Sequence, residues 1–119
     1  MVVRILLIDD QTSVLRSTSE ILKQLGHEVE VARDGEKGVE LFETGYDFDL
    51  VITDIEMPGM DGNEVARHVR ASDKPETPIV AMTGSMDDRI HRELFNIILP
   101  KPYTLDSLVQ TIRLLIADG

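Results

Sequence analysis

Cysteine is missing from all 119 residues, which excludes a disulfide framework, a thiolate metal site and a cysteine nucleophile. Positive charge is scarce as well. Twelve Lys and Arg against 22 Asp and Glu leave a formal net charge of −10, the wrong sign for gripping nucleic-acid phosphates. No apolar run approaches a membrane span, and the apolar run in "MVVRILLIDD" is too short for a signal peptide, so a cytoplasmic protein is expected. Neither G-x-x-x-x-G-K-[ST] nor G-x-G-x-x-G occurs, which removes the usual phosphate loops of nucleotide and dinucleotide enzymes. There is no internal repeat and no low-complexity tract. What is present, 42% hydrophobic and 29% charged, suits one folded domain over 1–119. Met1 fits a natural start, and no DNA-binding or catalytic output region follows in this chain.

Five short apolar runs alternate with helix-like stretches. The runs are Val2-Val3 with Ile5 to Ile8, "EVEVA" at 28–32, "LVIT" at 50–53, "IVAM" at 79–82 and "IIL" at 97–99. Four are continuously apolar, as strands are when helices cover both faces of a parallel sheet. The second alternates Glu and Val, which fits an edge strand with one wet face. Val14, Thr18, Ile21, Leu22 and Leu25 predict a first helix that Gly26 stops. Val39 and Phe42 predict a second, closed by Gly45, and Val65 and Val69 a third. The connector "SDKPETP" follows. Ser85 with Asp88 resembles a capping box opening a fourth helix, with Ile90 and Leu94 on its inner face. Leu105, Leu108, Val109, Ile112, Leu115 and Ile116 predict a fifth, with Thr104 as N-cap. Strand–helix five times over reads as a doubly wound α/β domain whose strand C-termini share one edge.

Polar residues collect at that edge. Asp9 and Asp10 follow the first strand, Asp54 the third, Thr83 the fourth and Lys101 the fifth. Three gathered carboxylates raise one another's pKa unless a cation is present. All-oxygen donors without His or Cys suit a hard ion, Mg²⁺ (or Mn²⁺) rather than Zn²⁺. Mg²⁺ takes only one or two carboxylates, which leaves one for chemistry. Asp54, on the central strand, is the better nucleophile toward phosphorus, with Asp9 and Asp10 as metal ligands directly or through water. Lys101 and the ion would neutralise the transferring phosphoryl group, and Thr83 would donate a hydrogen bond to it.

This set, carried by "LLIDDQ", "LVITDIEMPGMDG", "VAMTG" and "PKPY", resembles the receiver domain of two-component response regulators over essentially the whole chain. The resemblance implies a flavodoxin-like (βα)5 domain with a five-stranded sheet in the order 2-1-3-4-5. It implies that Asp54 accepts phosphate from a sensor histidine kinase or histidine phosphotransfer protein. It implies Mg²⁺ held by Asp10, Asp54 and the backbone carbonyl of Glu56, with Asp9 acting mainly through water. Thr83 and Lys101 would bind the phosphoryl group, and Lys101-Pro102 would be a cis peptide. The protein would be a switch that catalyses only its own phosphorylation and dephosphorylation. The Glu56 side chain would tune dephosphorylation, a minority reading beside its backbone role.

Two departures bear on output. Ile98 stands where the family usually has an aromatic residue three before the lysine. Thr83 and Lys101 are only 18 positions apart, several fewer than usual, so the fourth helix should be short. The face of fourth helix, fifth strand and fifth helix, which commonly meets downstream partners, should therefore differ from that of relatives. The sequence leaves oligomeric state open, with phosphorylation-linked dimerisation through that face one option. The alternative is a degenerate receiver that scaffolds a partner without phosphate. A haloacid-dehalogenase-type phosphatase would need Asp-x-Asp after the first strand, and Asp9-Asp10-Gln11 fails that test. A flavin carrier would want a hydroxyl-rich loop where this chain has acids. His27, His68 and His91 lack mutual metal spacing and read as surface residues.

Overall fold

The computed structural model describes residues 2–86 and 89–116. Five strands, β1 (Arg4–Ile8), β2 (Glu28–Ala32), β3 (Leu50–Asp54), β4 (Ile79–Thr83) and β5 (Ile97–Pro100), make one parallel sheet in the order β2-β1-β3-β4-β5. Four helices accompany them: α1 (Thr12–Gln24), α2 (Gly35–Phe42), α3 (Gly62–Arg70) and α4 (Leu105–Ile116). The strand order is the expected one.

Alternation along each strand divides the core into two layers. Ile5 and Leu7 of β1 pack with Leu15 and Leu22 of α1 and Leu108 and Ile112 of α4. Leu6 and Ile8 turn the other way, onto Val39 and Phe42 of α2 and Val65 and Val69 of α3. Strands covered on both faces explain the unbroken apolar runs. Burying each such side chain stabilises the fold by roughly 2 kcal/mol. β2 lies at the sheet edge with Glu28 and Glu30 exposed, as its alternation predicts.

Local chemistry starts the helices. Asp34 caps α2 by accepting from the Lys37 amide at 2.7 Å, and Asp61 caps α3 by accepting from the Glu64 amide at 3.0 Å. Thr104 and Ser107 cap α4 reciprocally, each side chain accepting the other's backbone amide at 3.0 Å. Gly26 (φ 97°) and Gly45 (φ 95°) take the left-handed conformation after α1 and α2, a region open to glycine without penalty. The inner face of α1 differs from expectation by a small rotation. Leu15, Thr18, Ser19 and Leu22 are buried, Val14 and Ile21 are half-buried, and Leu25 is exposed.

The fourth helix is corrected outright. Among the described residues, the chain between β4 and β5 holds only a single 3-10 turn, Arg92–Leu94. The Asp88 half of the expected capping box lies outside the described residues. The cause is competition from α3 for the backbone groups a helix would need. Asn63 donates to the Arg89 carbonyl at 2.8 Å and accepts the His91 amide at 2.9 Å. Arg70 donates to the Leu94 carbonyl at 2.9 and 3.1 Å and to Asn96 Oδ1 at 2.9 Å, while its remaining bonds, to the Pro75 and Thr77 carbonyls at 2.7 Å each, hold the α3–β4 connection. Of the expected inner face, Ile90 is buried against Ile55 and Ala81, whereas Leu94 is half-buried and packs on the α2–α3 layer.

Replacing Arg70 with methionine keeps most of the volume and removes every one of these donors. Unsatisfied carbonyls should lower stability by about 2–4 kcal/mol, read as a reduced midpoint in urea denaturation. Arg70→Lys should recover little of it, because an ammonium cannot fork across three carbonyls.

Candidate functional site

The sheet ladder runs one residue past three of its strands. The Asp9 amide donates to the Ala32 carbonyl at 3.1 Å, the Ile55 amide to Met82 at 2.9 Å, and the Lys101 amide to Thr83 at 2.7 Å. Asp9, Asp54 and Lys101 are thus set by regular strand geometry rather than by loops. The peptide after Lys101 is cis, as expected. At the N-terminus of α1, Gln11 is the cap residue but makes no side-chain cap bond. Asp9 instead accepts the Gln11 amide at 2.9 Å, which fixes one carboxylate oxygen and leaves the other facing the crevice.

Asp9, Asp10 and Asp54 each bring a carboxylate oxygen within 4.8 Å of the others. Lys101 Nζ lies 3.2 Å from Asp54 Oδ2 and 3.4 Å from Asp9 Oδ2. Asp9 and Asp54 are buried, at 0% and 4% exposure, so these charges act in a poorly screened place. Burial pushes the Asp54 carboxyl up to about 6 from its ordinary 3.8; Lys101 opposes the rise, and Asp9 and Glu56 add to it. Burial pulls the Lys101 ammonium down, but Asp54 and Asp9 outweigh it and hold it above its ordinary range. One ammonium does not balance three carboxylates. An all-oxygen donor set with surplus negative charge fits a hard divalent cation.

Thr83 is fully buried at the end of β4, and its hydroxyl is engaged. It lies 2.8 Å from Glu56 Oε2 and 3.2 Å from Oε1, while the Gly84 amide donates to Glu56 Oε1 at 3.3 Å. The Glu56 side chain, a minority reading from the sequence, therefore hydrogen-bonds Thr83 and Gly84 directly. Nothing in its spacing announced this, because the partner lies 27 residues away across the sheet edge. Sequence reasoning also missed Tyr103, whose hydroxyl hydrogen-bonds the buried Thr18 hydroxyl of α1 and ties the segment after Lys101 to that helix. A cleft of about 420 Å³ shares Glu56 with the site and is lined also by Ile55, Met57, Asp61, Asn63 and Arg89. Ile98 is half-buried beside Phe95 on the Ile55–Ala81–Ile90 cluster. The histidines stay outside the crevice. His68 is exposed, while His27 and His91, expected at the surface, are half-buried against the Val3 amide and the Arg67 guanidinium respectively.

The family model described as "Response regulator receiver domain" matches residues 5–113. The chain belongs to the response regulator receiver family. Transcription factor SKN7 of Saccharomyces cerevisiae is 37% identical over 111 residues, covering 87% of this receiver and 17% of SKN7. The cell cycle response regulator CtrA of Brucella ovis is 32% identical over 117 residues, covering 95% of this receiver and 50% of CtrA. This receiver thus spans half or less of the length of those relatives. Among solved structures, the response regulator TrrA of Thermotoga maritima, in complex with Mg²⁺ and BeF, superposes with a TM-score of 0.86 at 32% identity, covering 95% of this receiver and 98% of TrrA. Among the described residues, no helix of this receiver is long and apolar enough to cross a membrane.

Proposed function

We propose that this receiver is a phosphorylatable switch in which Asp54 is the phosphoacceptor. The observation that carries the reading is the Lys101 ammonium set between the buried carboxylates of Asp54 and Asp9, with Asp10 beside them. The donor would be a phosphohistidine on a sensor kinase or histidine phosphotransfer protein. An Asp54 carboxylate oxygen attacks phosphorus, the phosphorus–nitrogen bond breaks, and its electron pair leaves on the imidazole. Lys101 holds the attacking carboxylate in place and neutralises charge on the equatorial oxygens. Thr83 donates its hydroxyl to the transferred group. Asp9, Asp10, Asp54 and the Glu56 backbone carbonyl would hold Mg²⁺ (or Mn²⁺), which supplies charge neutralisation at the phosphoryl oxygens when bound. The complex of TrrA with Mg²⁺ and BeF supports that assignment by likeness. Hydrolysis of the aspartyl phosphate would reset the switch.

Downstream protein contact would fall on the β4–β5 connector, β5 and α4. With only the 3-10 turn Arg92–Leu94 among the connector's described residues, that face is unlike one built on a full fourth helix. A scaffold that never takes phosphate would not need a half-buried Lys101 set between two buried carboxylates, so the phosphate-independent reading is the weaker one.

Intact mass after incubation with acetyl phosphate and Mg²⁺ tests the proposal. The wild type should gain one phosphoryl group, and the gain should disappear in Asp54→Ala and without the metal. A folded wild type that gains nothing from acetyl phosphate or from a phosphorylated histidine donor would overturn it.

A further inference from the structure

The two donors at the end of β4 already have an anionic occupant. Thr83 Oγ1 lies 2.8 Å from Glu56 Oε2, and the Gly84 amide reaches Glu56 Oε1 at 3.3 Å, so one carboxylate spans a hydroxyl and a backbone amide. The Thr83 hydroxyl has a single proton, and the Ser85 carbonyl also lies within reach at 2.8 Å. A carboxylate is the stronger acceptor of the two, so the proton belongs to Glu56. Glu56 is itself exposed and has open space to leave by, whereas Thr83 is fully buried and cannot follow it.

We infer that the Glu56 side chain is a self-supplied occupant of the phosphoryl subsite, a latch that must be expelled before Thr83 can bind phosphate. The inference rests on Asp54 being the phosphoacceptor with Thr83 serving its phosphoryl group. Two acceptors then compete for one hydroxyl proton, and both are negative. The competition is intramolecular, so Glu56 acts at a high effective concentration and slows small phosphodonors and weak anions without excluding them. This differs from a role in steering water during dephosphorylation, because it operates before any phosphate arrives. It also gives the unphosphorylated state a hydrogen bond of its own to lose, which a receiver with a short apolar side chain at position 56 lacks.

The test uses the full chain, fluoroberyllate with Mg²⁺ as the phosphoryl mimic, and the variants Glu56→Ala and Glu56→Gln. Removing a charge-assisted hydrogen bond should tighten fluoroberyllate binding about tenfold in Glu56→Ala, by calorimetry. Glu56→Gln keeps the shape and loses the charge, so its affinity should fall between the two. In metal-free protein the Gly84 amide resonance should move in Glu56→Ala. It should stay put in the control Glu76→Ala, which removes an exposed carboxylate from the α3–β4 connection. Equal fluoroberyllate affinity in wild type and Glu56→Ala, or an unmoved Gly84 amide, overturns the latch and leaves Asp54 as acceptor. Binding that is absent from every variant overturns the phosphoacceptor reading and the latch with it. Binding that is tightened in Glu56→Ala and abolished by adding Asp54→Asn supports both.

Discussion

Replacing Asp54 with asparagine should raise the melting temperature of the metal-free protein at pH 7.5 by about 5 °C, although it removes the proposed reactive group. The reason is the cost of keeping that carboxylate charged. Burial, with Asp9 and Glu56 adding to it, carries the Asp54 carboxyl from 3.8 up to about 6 in the fold. A folded-state pKa above the unfolded value means that the folded protein holds the proton more tightly. The associated stability is present in full below pH 3.8 and is lost as the pH rises through about 6. At pH 7.5 the ionised group therefore costs on the order of 3 kcal/mol, a figure in which the favourable Lys101 ion pair is already counted. Melting curves followed by circular dichroism at pH 4.5 and 7.5 check this. The advantage of the variant should shrink at the lower pH, where the wild-type carboxyl is already neutral. Saturating Mg²⁺ should shrink it at the higher pH, because the cation offsets the same charge. A wild type that melts as high as the variant at pH 7.5 without metal would contradict the account.

Gly62→Ala should be the most damaging single methyl in the molecule. Gly62 opens α3, and a Cβ there would run into the backbone carbonyl oxygen of Asp54 and stand 2.9 Å from Ile55 Cα. Both obstacles are main chain at the end of β3, so no rotamer change relieves them. The Gly62 amide also donates to the Ile55 carbonyl at 3.0 Å, which holds the two elements at this separation. Either α3 withdraws and breaks that bond, or the Asp54 peptide rotates and takes its side chain out of line with Lys101. A loss of about 3 kcal/mol or more is expected in urea denaturation, together with weakened fluoroberyllate binding. Gly84→Ala is the matching control, since an added methyl there meets nothing within 4 Å and should leave stability nearly unchanged.

Most of the fold was legible because strands buried on both faces advertise themselves as unbroken apolar runs. "EVEVA" gave the bounds of β2, and the other four strands began or ended within a residue or two of their apolar runs. The site was legible for a related reason. Asp9, Asp54, Thr83 and Lys101 sit at or just past strand ends, so locating the strands located them. The parts that were not legible depend on partners distant in sequence. Ile90 and Leu94 have helical spacing, but Asn63 and Arg70 take the backbone groups of that stretch from 24 to 28 positions away. Leu15 and Ser19 join Thr18 and Leu22 on the inner face of α1 in place of Val14 and Ile21, and Thr18 meets the Tyr103 hydroxyl, a pairing no local pattern encodes. Glu56 reads from the sequence mainly through its backbone carbonyl, and only the register of β3 against β4 brings its side chain to Thr83.

The pinning of the β4–β5 connector by α3 also governs which pieces of this receiver can be transplanted. A helical connector grafted from a longer relative would satisfy its own carbonyls internally. The Asn63 amide would then face a surface without acceptors from a buried position, and the Arg70 guanidinium would keep only its Pro75 and Thr77 carbonyls. The reverse graft would place this connector over a helix with nothing to hold its carbonyls. The segment and α3 therefore form one heritable unit, and chimeras drawn between them should fail where chimeras that carry both succeed.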